Sequence, residues 1–85
     1  MSATKILMDS LRMADGGRVV CEVTVPDGRV MRSVIEQSFF EDFMGVPQPQ
    51  LTAQKQARIV QDNKAYLEGE VERMWRLGQR ELVVR

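Results

Sequence analysis

The sequence predicts an α+β fold: a small antiparallel β-sheet of hairpin or meander form, two helices on one face, and a closing C-terminal strand. Three observations carry this expectation. Residues 18–36, RVVCEVTVPDGRVMRSVIE, alternate apolar and polar side chains on either side of a Pro-Asp-Gly turn. Residues 51–77 repeat apolar positions at helical spacing. Gly78 then separates that helix from a short β-branched run over 81–84.

The chain has 85 residues, the size of one small domain spanning 1–85 and near the lower limit for folding without disulfide or metal staples. Hydrophobic residues make up 44% and charged residues 28%, a balance that suits a packed core and argues against disorder. Twelve basic residues offset twelve acidic ones, so the basic excess typical of nucleic-acid or anionic-membrane binders is missing. No apolar run approaches the roughly 18–20 residues that cross a bilayer, and no membrane partner is expected. At the start, MSATKILMDSLRM, Asp9 and Arg12 interrupt the apolar stretch, against a secretory signal. One cysteine cannot form an internal disulfide. A cytoplasmic protein is the expectation.

Residues 4–14 fit two short strands broken at Asp9-Ser10, with Leu7, Leu11 and Ala14 also compatible with a helix. Strand is favoured because Asp15-Gly16-Gly17 is turn chemistry leading into a clear strand. In the next hairpin a two-residue loop would set Val23 opposite Arg32 and Val19 opposite Glu36. A three-residue loop, with Pro26 presetting φ and Gly28 left-handed, instead pairs Val23 with Met31, Cys21 with Ser33 and Val19 with Ile35. It also sets Glu22 opposite Arg32, Thr24 opposite Val30 and Val20 opposite Val34, so apolar meets apolar and opposite charges meet. The three-residue register is therefore predicted. Val20, Val30 and Val34 are left on the outer face, as ordinary surface or as a patch for the N-terminal segment or a second subunit.

In SFFEDFMG, Ser38 and Glu41 have the spacing of a capping box, and Gly45 is a natural stop. Phe39, Phe43 and Phe40 are expected inward, as core. Residues 46–50, VPQPQ, read as a stiff linker.

Thr52 is the expected N-cap of one long helix. At about 100° per residue, Ala53, Ala57, Val60, Leu67, Val71, Met74 and Trp75 form one stripe, widened by Ile59, Tyr66 and Leu77. A straight helix over 52–77 would be about 39 Å long, too long for a globule with a radius of gyration of about 12 Å. Either it bends, with Gly69 the weak point, or its far end packs on another chain. Leu67, Val71, Met74 and Trp75 are then the candidate interface.

The run VIEQSFFEDF, then DNKAYLEGEVERMW, then the closing strand resembles a family of small uncharacterised bacterial domains of unknown function. The resemblance covers residues 18–85. That family has a strand ending in a short capped helix, then a longer helix with an Asn-Arg or His-Arg pair in its first half and an aromatic near its end. Asn63-Lys64, with Lys where the family has Arg, and Trp75 occupy comparable places. The resemblance implies strands plus two helices and no established activity.

Catalytic groups are scarce. The chain has no histidine, the commonest general base and transition-metal ligand. Cys21 falls at an inward strand position, where a small buried hydrophobe is expected and not a reactive thiol. Glu41-Asp42 and Glu68/Glu70/Glu72 are the carboxylate clusters, without the spacing of a metal loop. Glu68, Glu72 and Arg76 read as an ion-pair ladder on a solvated surface. No catalytic residue, cofactor or metal is expected, and the chain is not read as an enzyme. Asn63 and Lys64 are the candidate polar site, because Lys64 falls within the apolar stripe, either snorkelling, paired to a carboxylate such as Asp42 or Glu36, or meeting an anion at a subunit interface. Arg58, Arg73 and Arg76, with Lys55, form a candidate basic face, followed by Arg80 and Arg85. The expected function is a protein-interaction or accessory module, a homodimer or the partner of another protein. The alternative is a nucleic-acid-associated regulator using the basic face.

Overall fold

The computed structural model describes residues 4–47 and 52–85. Four strands form one sheet in the order β1-β2-β3-β4: β1 (Lys5–Ala14), β2 (Arg18–Thr24), β3 (Val30–Ile35) and β4 (Leu82–Val84). Between β3 and β4 the chain makes a helical turn at Phe39–Phe43 and two α-helices, α1 (Ala53–Asp62) and α2 (Lys64–Arg76).

The β2–β3 hairpin has the register that charge and apolar matching select, from Val19 opposite Ile35 to Thr24 opposite Val30. Gly28 has φ 90° and donates its N–H to Val25 O at 2.9 Å, closing the three-residue loop. β1 is antiparallel to β2, and its pairing breaks between Leu7 and Arg12 in one bulged strand where two short ones are expected. β4 departs from the expected antiparallel sheet: it lies parallel to β3, with Val34 opposite Val83, so the sheet is mixed. The helices carry the chain back across one face before it re-enters the sheet, and that return makes the last strand parallel.

Alternation decides the faces. Ile6, Val19, Cys21, Val23, Ile35, Leu82 and Val84 point into the core, where Phe39, Phe40, Val60, Leu67 and Val71 from the helical segments meet them. Both helices therefore cover one face. Gln56, also buried, donates its Nε2 to Gly17 O at 2.8 Å and ties α1 to the β1–β2 turn.

The aromatic turn differs from expectation in its cap and its facing. Ser38 makes no capping hydrogen bond, and Gln37 Nε2 donates to Glu41 instead at 2.8 Å. The turn is wide: Met44 N–H reaches Phe39 O at 3.0 Å, a five-residue step. That extra residue per turn rotates Phe43 out, 57% exposed, while Phe39 and Phe40 are buried. Most of the expected linker over 46–50 lies outside the described residues.

Thr52 caps α1, its Oγ1 accepting Lys55 N–H at 3.1 Å. The long helix then breaks at Asn63, not at Gly69. Asn63 leaves helical geometry (φ −112°, ψ 21°), and its Nδ2 donates to Ile59 O at 2.9 Å, competing for that carbonyl with its own backbone N–H. Gly69 stays helical, with nothing near enough to strain it. The two pieces, about 15 and 20 Å long, fit a molecule whose longest extent is 38 Å. At the far end Gly78 (φ 78°) and Gln79 donate to Trp75 O and Met74 O, a Schellman termination.

Candidate functional site

The helix stripe that length marks as a candidate interface is core. Leu67, Val71 and Met74 are 0%, 1% and 6% exposed, and Trp75 is half-buried against the same cluster. The break at Asn63 is the reason: a helix in two pieces keeps its apolar side on its own sheet. These four residues offer a partner little or no surface.

Asn63 serves the break itself through its bond to Ile59 O. Lys64 is half-buried and its Nζ lies 3.8 Å from Glu68 Oε2, one turn along α2. Neither expected partner is used, and Glu36 pairs instead with Arg18 at 2.9 Å. Glu68 Oε2 also accepts the Ile6 N–H at 2.8 Å, and Glu72 Oε1 accepts the Thr4 hydroxyl at 2.8 Å. The two glutamates expected on a solvated surface thus hold the start of β1 to α2. Their one-turn spacing is visible in sequence, but the strand they reach is sixty residues away and is not.

Each arginine of the candidate basic face stands beside an acid. Arg73 bonds Glu70 at 2.8 Å, Arg76 bonds Glu72 at 3.3 Å, and Arg58 lies 4.0 Å from Asp62. Such pairing removes much of the potential a phosphate backbone would meet.

Cys21 is buried, and burial, reinforced by Glu22 and opposed by Arg12, pushes its thiol up from 9.0 to about 11. It stays protonated at neutral pH, unlike a nucleophilic thiolate. Among the described residues no group of three or more carboxylates and thiols is placed to hold a metal ion. Among them, too, no helix is long and apolar enough to cross a membrane.

Two surfaces lie outside the expected candidates. Phe43 and Tyr66 stack with centroids 5.2 Å apart, and Phe39 stacks beneath Phe43 at 5.3 Å, so a buried ring extends to the surface through two exposed ones. The larger surface is the outer face of the sheet. Val20 stands opposite Val34, and Val34 opposite Val83, a half-buried valine row across three adjacent strands. Val30 is 58% exposed on the same face, and Leu7 sits on it opposite Glu22. Arg12, Arg18, Arg32, Glu22 and Glu36 frame the row. Val83 was legible once the strand was placed, since inward Leu82 and Val84 leave it outward. Comparison with protein-family models, with curated proteins and with solved structures finds no match to the chain.

Proposed function

We propose that this chain is a small protein-contact module that self-associates, and that its contact surface is the side of the sheet the helices leave uncovered. The observation that carries this reading is the valine row of Val20, Val34 and Val83, continued by Val30 and bordered by charges of both signs. A β-branched row with a charged rim resembles an interface core with its polar surround. The shortage of catalytic groups supports binding over chemistry: no histidine in the chain, and one buried, protonated thiol. A single unpaired cysteine also suits a reducing compartment, and we place the module in the cytoplasm.

Light scattering across a concentration range tests the reading. The native mass should rise above that of one chain, and Val34→Lys should weaken association through the face while leaving the fold intact. A single-chain mass at every concentration for the unaltered protein would remove self-association.

A further inference from the structure

The uncovered side ends at an edge that is open among the described residues, and its geometry selects an occupant. Val84 O accepts the Glu36 N–H from β3 at 2.8 Å. Backbone polar groups alternate along a strand, so Leu82 and Val84 face β3 while the N–H and C=O of Val83 face away from the sheet. Outside the β3 ladder, no hydrogen bond among the described residues reaches Val83. Grooves flank it on both sides, one toward Tyr66, Arg73 and Met74 of α2, the other toward Arg80 and Glu81.

We propose that β4 pairs antiparallel with β4 of a second copy, about a two-fold axis at Val83. This deepens the self-association reading and rests on it. The segment RELVVR, residues 80–85, is complementary to itself in this register alone. Centred on Val83, the two valines exchange both backbone hydrogen bonds. Leu82 and Val84 are already 1% and 4% exposed within their own copy, so the side-chain match lies on the outer side, where Glu81 of each copy meets Arg85 of the other. Two ion pairs form at once, as a two-fold axis requires. Centring on Glu81 instead sets like charges opposite each other and places Leu82 against Arg80. Centring on Leu82 directs its already used backbone groups at the partner. A one-residue offset puts core-facing side chains beside outward ones.

The pairing also lengthens the outer row. Val34 already stands opposite Val83, so the row runs Val20, Val34, Val83 and on through the same residues of the second copy. At the opposite edge Glu68 already occupies the Ile6 N–H that a strand pairing there would need. A pairing this short makes a weak dimer that forms with rising concentration.

Charge exchange tests it. Glu81→Arg and Arg85→Glu each place two like-charged pairs in the interface, and each should raise the dimer dissociation constant about tenfold. Mixed in equal amounts, the two variants are complementary across the axis and should form a heterodimer of near-original affinity. A variant that merely misfolds would not be rescued by mixing. A dimer indifferent to both variants, or variants not rescued by mixing, would overturn the edge pairing while leaving self-association through the sheet face. An unaltered chain that stays single at all concentrations would remove both readings.

Discussion

At one edge of the sheet β1 runs ten residues, and α2 reaches it: Glu68 accepts the Ile6 N–H and Glu72 the Thr4 hydroxyl. The strand is bulged between Leu7 and Arg12 and carries Lys5, Asp9 and Arg12. At the other edge β4 is three residues long, and no side chain among those described takes up its outward backbone. Unpaired strand edges are templates for another chain, and proteins blunt them with charge, bulges, covering groups or shortness. Here the long edge has the first three and the short edge only the last. The difference separates an edge guarded by charge, a bulge and a covering carboxylate from one guarded by shortness alone.

That contrast can be broken most forcefully through the seat of α2, which positions the glutamates on one edge and backs β4 on the other. Leu67→Ala should cost about 3 kcal/mol in urea unfolding, from lost burial plus a residual cavity. A loss below about 1 kcal/mol would mean that α2 is not anchored there.

Cys21, on a strand between the two edges, makes the stability of the fold depend on alkaline pH. Its thiol rises from 9.0 to about 11 on folding, so the native state holds this proton more tightly than the unfolded chain. The resulting stability is complete below pH 9 and is lost as pH climbs from 9 toward 11. Roughly 2–3 kcal/mol should disappear across that window. Cys21→Ala should flatten the pH profile, whatever its effect at neutral pH.

Unguarding β1 comes next. Glu68→Ala leaves the Ile6 N–H without its carboxylate and should cost about 1–2 kcal/mol. Ile6 amide exchange should quicken, and strand-mediated association at high concentration should increase. Unchanged exchange at Ile6 would show that the edge is protected by something else.

The smallest effect belongs to the exposed ion pairs. Arg12 and Glu22, 3.4 Å apart with the arginine side chain 46% exposed, should contribute under about 0.5 kcal/mol. Arg12→Ala should leave the unfolding midpoint almost unmoved, and a larger loss would give the β1 bulge an electrostatic support it does not show.

Much of the fold was legible because it is local. The β2–β3 register followed from Pro26-Asp27-Gly28 and from matching Glu22 with Arg32 and Val23 with Met31. The cap at Thr52 and the termination at Gly78 followed from residue chemistry that acts within one turn. The candidate interface was not legible. Helical spacing puts Leu67, Val71 and Met74 on one stripe but does not say which surface that stripe meets. Phe43 lies outward where helical spacing predicts it inward for a related reason: ordinary spacing does not foresee the wide turn that rotates it. The break at Asn63 was hidden too: Gly69 is the weaker helix former, yet it was the asparagine side chain, bonding back to Ile59, that interrupted the helix.

By itself the sequence determined which residues alternate, which periods repeat, where the caps lie, and that catalytic side chains are few. These are properties of neighbours along the chain, and short-range sterics and hydrogen bonding suffice to state them. Only the tertiary structure decided that β4 enters parallel to β3, that Glu68 and Glu72 reach Ile6 and Thr4, and that among the described residues none bonds the outward backbone of Val83. Those outcomes join residues tens of positions apart. They depend on how the helices return across the sheet, which no local preference specifies.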